Sequence, residues 1–307
     1  MAYVKETFRA PGILEVKKYH TWRWGGKCRR GANIKRTDRK QRKRNSRNSR
    51  EYLARLIMTN FSKGDMRVDL TYGGAEPDAE EAKKNIDNFL QRARRLYKKK
   101  GEELKFILAT EHKQHRIHHH LLMNFIKGKI EEDDIAALWP YAKLNYRSTR
   151  KFDGGPEDAR RLAWYITKET DKTIGDDDSI QKVRYRCSRN LMKPDVKKEV
   201  IYSRKWAESP KPPEGYTAYD TEEGVTEDGF PFQIIRMKKD ITDEEREKWN
   251  RKMERWEHHL LKGREKRELQ SRSQKSKAGR KKPMDEKLPG KAGAHGQRNA
   301  PRNRRCH

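Results

Sequence analysis

Five of the ten histidines in this 307-residue chain fall between His112 and His120, inside the run Glu111-His112-Lys113-Gln114-His115-Arg116-Ile117-His118-His119-His120-Leu121-Leu122-Met123-Asn124-Phe125. Clustered polar rings passing straight into an apolar run read as a strand with one functional face. Side chains alternate along a strand, so His118 and His120 share a face and His119 points away. Leu104 to Glu111 is short and apolar, a second strand. With a turn at Lys113-Gln114, Glu111 pairs across from Arg116 and has His118 as its diagonal neighbour on the same face. One carboxylate and two imidazoles then converge, and Glu111, His118 and His120 are the candidate metal ligands. Mixed imidazole and carboxylate donors suit Mn²⁺, and Mg²⁺ if phosphate completes the shell. The rivals are a zinc site of three histidines, with His112 or His115 replacing Glu111, and a His-rich edge strand that holds no metal.

A second motif lies downstream. Asp158 to Glu169 has helical period, with Ala159, Leu162, Ala163 and Ile166 as its core stripe. Tyr165 sits at the stripe's edge. Arg161 precedes it by four and Lys168 follows it by three, so both neighbour it on the helix surface. A free phenol has a pKa near ~10 and is a weak nucleophile at neutral pH. Two nearby cations and a metal ion are expected to favour the phenolate. Tyr-x-x-Lys alone carries little information. Beside a metal that polarises phosphate, it fits an enzyme that forms a phosphotyrosine.

Charge sets the organisation around these motifs. The chain carries 75 Lys+Arg against 46 Asp+Glu, a net charge of +29, and only 32% of it is hydrophobic. Lys27 to Arg50 holds 12 Lys/Arg and one acid; Lys262 to the C-terminus holds 16 Lys/Arg and four acids. Like-charged arms of this kind repel themselves, read as disordered, and have a polyanion as their natural partner. Solubilising tails, or a nuclear address at Arg39-Lys40-Gln41-Arg42-Lys43-Arg44, are the plainer readings. No apolar run reaches the ~18–20 residues of a membrane span, and no signal-like stretch opens the chain. Cys28, Cys187 and Cys306 are odd in number and far apart, so a reducing cytoplasm is the expected home.

Between the arms, Met66 to Tyr72 reads as a strand with Val68, Leu70 and Tyr72 on one face. Pro77-Asp78 opens a helix to about Lys99, with Ala82, Ile86, Phe89, Ala93 and Leu96 at helical spacing. Glu131 to Trp139 predicts a short helix and Leu144 to Ser148 a strand. Gly154-Gly155-Pro156 is a break before a helix from Glu157 to about Lys172, and Arg184 to Leu191 predicts another strand. Residues 215–238 read as a hairpin, and Thr242-Asp243-Glu244-Glu245 starts a charged helix. The element order predicts an α+β fold, an antiparallel sheet with helices on one face, plus basic disordered arms. The expected divisions are an N-terminal extension (1–50, with its arm at 27–50), a catalytic domain (51–194), an accessory region (195–269, with a helix at 241–269) and a basic tail (270–307).

His118-His119-His120-Leu121-Leu122 and Tyr165-Ile166-Thr167-Lys168 together resemble the HUH endonucleases, in particular the rolling-circle replication initiators (Rep proteins) of plasmids and single-stranded DNA phages. Glu111 matches the acid upstream of the family's histidines. Val68-Asp69-Leu70-Thr71-Tyr72 is similar to its first motif, and Arg184 to Leu191 is similar to a Ser-Arg segment of its relatives. The likeness covers roughly Asn60 to Pro194. It implies an RRM/ferredoxin-like sheet with Glu111, His118 and His120 on the open face and Tyr165 above them. It also implies that Tyr165 nicks single-stranded origin DNA, that Lys168 assists, and that the strand is later rejoined. A host helicase and polymerase are implied partners, the former because the chain has no P-loop run, and a bacterial cytoplasm is the implied location. Arg161, Arg184, Arg189, Lys40, Arg42, Lys43 and Arg44 are the candidate DNA contacts. A non-enzymatic nucleic-acid-binding protein, a relaxase and an IS200-like transposase are the competing readings.

Overall fold

Met66, Val68 and Leu70 are fully buried, while Arg67 and Asp69 between them are only half-buried. This central strand therefore has one apolar face and one partly polar face. The structure, a computed structural model, describes residues 2–20, 39–112, 116–142, 149–168, 183–207, 211–226, 229–242 and 244–249, with single positions at 251, 255 and 262. In chain order the elements are β1 (Tyr3–Ala10), β2 (Ile13–Tyr19), α1 (Arg39–Asn60), β3 (Met66–Leu70), α2 (Ala79–Lys99), β4 (Phe106–Glu111), β5 (His118–Met123), α3 (Glu132–Ala136), β6 (Thr149–Lys151), α4 (Pro156–Lys168), β7 (Arg186–Cys187), β8 (Val196–Ile201), β9 (Thr217–Val225) and β10 (Pro231–Lys238).

The fold is α+β, built on two antiparallel five-stranded sheets. The central one runs β6-β3-β5-β4-β7. β3 and β4 both pair antiparallel with β5 between them, and α2 makes the crossover from one to the other. Asp78 starts α2, its carboxylate accepting from the Glu81 amide at 2.8 Å. Ala82, Ile86, Phe89, Leu90, Ala93 and Tyr97 then pack on the face made by Val68, Leu70, Leu108 and Leu121.

Helices cover both faces of this sheet, α2 on one and α1 with α4 on the other. β4 and β5 carry apolar side chains at both parities. Ile107, Ala109 and Leu122 point away from α2 and need their own cover, which Leu53, Ile57, Leu162, Ala163 and Ile166 of α1 and α4 supply. The site face is thus closed at one end. Gly154, at φ +81°, makes the turn into α4: a Cβ there would come within 2.7 Å of the Lys63 amide nitrogen. Pro156 follows as the first residue of the helix.

The segment 39–50, expected to be disordered, is helical. It continues α1 back from the docked stretch Leu53–Thr59, whose buried residues provide the costly helical nucleus. The N-terminal extension and the region after 195 also share one sheet, ordered β8-β1-β2-β10-β9, with the hairpin expected at 215–238 at its edge. Buried Glu15 on β2 ties this sheet to the helices. It accepts from Arg55 Nε of α1 at 2.9 Å and pairs with Arg160 of α4, while Arg236 Nε of β10 lies 3.7 Å away. The strand expected at 144–148, most of the helix expected at 241–269 and the tail at 270–307 lie outside the described residues. None of the described helices is long and apolar enough to cross a membrane.

Candidate metal and tyrosine site

β4 and β5 pair so that Glu111 lies directly opposite His118, and Ala109 opposite His120. Glu111 does not pair with Arg116, because the connection between the strands is longer than a turn at Lys113-Gln114 would make it. The three expected ligands still share a face. Each offers one donor atom within 4.8 Å of the others, and among the described residues this group could hold a metal ion. His112 stands outside it, and His115 lies outside the described residues.

Hydrogen bonding fixes which ring nitrogens face the centre. His118 Nδ1 is 2.7 Å from the Arg116 carbonyl, which can only accept, so Nδ1 carries the proton. His120 Nδ1 is 2.6 Å from Asp69 Oδ1. Both Nε2 atoms are thereby turned toward Glu111, at 2.9 Å for His118 and 3.1 Å for His120. His120 Nε2 is buried and finds no hydrogen-bond partner in good alignment. Two Nε2 lone pairs aimed at carboxylate oxygens need a cation between them, either a proton on each ring or a metal. The donor set therefore fits a divalent ion held by Glu111, His118 and His120. Electrostatics agree. Burial alone would lower the pKa of His120, but Asp69 and Glu111 hold it up at about 9. Burial alone would raise the pKa of Glu111, but His118 and His120 bring it down to about 2.

Asp69 was not among the candidate ligands. It is the direct cross-strand partner of His120, and its bond to Nδ1 orients the imidazole, as carboxylates behind metal-bound histidines do. The signal was there in the parity of β3. With Met66, Val68 and Leu70 inward, Arg67 and Asp69 must share the histidines' face.

α4 brings Tyr165 over this face. Its ring centroid lies 4.6 Å from that of His120, edge to face, and the residue is partly exposed. Burial pushes the phenol up to about 12, with Asp69 and Glu111 adding to the rise and Arg67 and Arg150 opposing it. By the protein's own groups alone, the shift runs opposite to the one expected from helix neighbours. The cations at the phenol come from the sheet, where Arg67 and Arg150 are paired across β3 and β6 and the Arg67 guanidinium lies 5.7 Å from the ring. Lys168 places its Nζ over Trp164 at 5.3 Å. Arg161 is exposed, 3.7 Å from Asp158.

The remaining candidates are elsewhere. Lys40, Arg42, Lys43 and Arg44 are exposed on the first turns of α1. Arg184 lines the same cleft as Arg42 and Lys43. Arg189 is exposed in the turn after β7, beside buried Ser188, whose Oγ accepts from the Phe106 amide at 3.1 Å.

Fold and site together define an α+β sheet protein with a buried Glu-His-His group and a tyrosine held against it. Residues 65–174, roughly a third of the chain, match the family of replication-associated proteins of the ORF2 and gene 2 protein type. The matched stretch holds β3, α2, β4, β5 and α4, hence every residue of the site, and the similarity supports a replication initiator. No curated protein and no solved structure gives a significant match.

Proposed function

We propose that the chain is a nickase and strand transferase of the HUH type, which opens single-stranded DNA at an origin and rejoins it to end rolling-circle replication. The observation that carries this reading is the convergence of both Nε2 atoms on Glu111, with the Tyr165 ring packed against His120. A divalent ion bound by the three ligands, Mg²⁺ or Mn²⁺, would polarise the scissile phosphate. The Tyr165 oxygen, its proton lost to water, attacks phosphorus in line, forming the phosphotyrosyl bond as the bond to the 3′-oxygen breaks and that oxygen takes up a proton from water to become the 3′-hydroxyl. The 5′-phosphate stays on the protein. Attack by a 3′-hydroxyl on that phosphate reverses the step and restores the phenol. Arg67 and Arg150 favour loss of the phenolic proton and offset the phosphate's charge, with Lys168 assisting from one turn along α4.

Mass spectrometry of the protein after incubation with single-stranded oligonucleotides and Mn²⁺ tests this. The expected result is a covalent adduct on the peptide containing Tyr165, absent with chelator and absent from Tyr165→Phe. An adduct on Tyr185 or Tyr202, or nicking that survives Tyr165→Phe, would refute the assignment.

A further inference from the structure

Residues 39–50 of α1 are unlike any other helical stretch among the described residues. Seven of the twelve are Lys or Arg, the other five are Gln, Asn or Ser, and none is acidic or apolar. Such a stretch buries nothing, and α1's buried residues begin at Leu53. Like charges at helical spacing, such as Lys40 with Arg44 and Lys43 with Arg47, repel one another. The first turn has no acid to complement the helix dipole. The segment is anchored at its middle, where Arg47 pairs with Glu51 and with Glu222 of β9 and lies over the Phe232 ring of β10, and an anion outside the protein would relieve the repulsion among its other cations.

The surroundings give that anion a shape. Two clefts flank the segment. One, of about 770 Å³, is lined by Arg39 and Arg42 together with Arg160 of α4 and Arg184, its cations outnumbering the two acids Glu51 and Glu222. The other, of about 890 Å³, takes Lys40 and Arg44, with Lys198 of β8, beside the acids Glu6 and Glu51. Gln41 and Asn45 line neither cleft. They are exposed one turn apart, with Gln41 Nε2 donating to Asn45 Oδ1 at 2.8 Å.

We infer that residues 39–50 form a reading helix for the major groove of duplex DNA, with the Gln41–Asn45 face toward the base edges and the basic residues on either side toward the two phosphate strands. Three turns span about 18 Å, and the groove of B-form DNA, about 12 Å wide, admits one helix. Arg, Asn and Gln are the side chains that make bidentate contacts to guanine and adenine there. Duplex RNA is disfavoured because its major groove is deep and narrow. A single strand is disfavoured because residues 39–50 contain no aromatic ring on which bases could stack. The inference goes beyond the nickase reading and does not depend on it, since duplex binding needs neither the metal nor Tyr165.

The test uses the full chain with chelator present, so that no cleavage occurs. A random-sequence duplex library is selected for binding. Fluorescence anisotropy then compares a selected duplex with its single strand at several salt concentrations. The expected results are a consensus sequence, duplex bound at least ten-fold more tightly than single strand, and protection of guanine N7 from methylation inside the site. Arg42→Ala/Lys43→Ala should weaken binding about 10- to 100-fold and reduce the salt slope by about 2. The charge-keeping Arg42→Lys/Lys43→Arg should restore the slope, which a folding defect would not permit. Gln41→Ala/Asn45→Ala should blur the consensus and leave the slope unchanged. A preference for single strands or RNA, the lack of any consensus, or protection confined to the minor groove would overturn the inference.

Discussion

The two faces of β5 put the same side chain to opposite uses. On one face His118 and His120 aim their Nε2 atoms at Glu111 beneath Tyr165. On the other, His119 is fully buried, with Nε2 3.0 Å from the Tyr72 hydroxyl, Nδ1 2.9 Å from Thr110 Oγ1, and its ring edge-on to Trp139. Burial, helped by the neighbouring imidazoles, holds its pKa down at about 3. An imidazole with both nitrogens satisfied inside an apolar core is a packing residue. One whose outer nitrogen is pinned and whose inner nitrogen lacks an aligned partner is poised as a ligand. The step of one residue along a strand decides between them.

The sharpest way to break this comparison is truncation on each side. His120→Ala or His118→Ala should lower metal-dependent cleavage at least about 10³-fold, and for the less buried His118 the midpoint of thermal unfolding should move by only a few degrees. If metal-dependent cleavage and stability fell together, the two faces would not differ in kind. His119→Ala should do the reverse. It leaves a cavity and removes a hydrogen-bond partner from the Tyr72 and Thr110 hydroxyls, at a cost of about 2–4 kcal/mol in denaturant unfolding, with near-normal cleavage per folded molecule. Asp69→Asn sharpens the comparison from behind the proposed metal site. It keeps the shape but weakens the acceptor at His120 Nδ1, so Mn²⁺ affinity by calorimetry should fall about 10- to 100-fold. A variant binding Mn²⁺ as well as the parent would make Asp69 a bystander.

Much of this site was legible in the sequence because a strand's parity is local. Glu111, His118 and His120 could be placed on one face without knowing the true register, since a turn at Lys113-Gln114 and the longer connection in the structure leave the same side chains facing the same way. What crosses between elements was not legible. Arg67 and Arg150 reach Tyr165 because β6 pairs with β3, a contact that depends on a chain return roughly 80 residues long. The helix neighbours Arg161 and Lys168 were visible in the sequence, but the phenol faces the sheet. The helical state of 39–50 was hidden for a related reason. Its own composition argues for disorder, and only the apolar stretch that follows it turns it into a helix.

The pH dependence of stability with chelator present is the most direct readout of the two faces. His119 has a folded pKa near 3 against an unfolded value near 6.5. Its contribution is therefore present above pH ~6.5 and lost as pH falls toward 3. His120 has a folded pKa near 9, above its unfolded value. Its contribution is present below pH ~6.5 and lost as pH rises through 9. One strand thus bounds stability from both sides. In thermal unfolding across that range, His119→Gln should flatten the acid limb and His120→Gln the alkaline limb. Saturating Mn²⁺ should remove the alkaline limb from the parent protein, because the ion binds the deprotonated imidazole. An alkaline limb that persists with Mn²⁺ bound would mean that the ion does not reach His120.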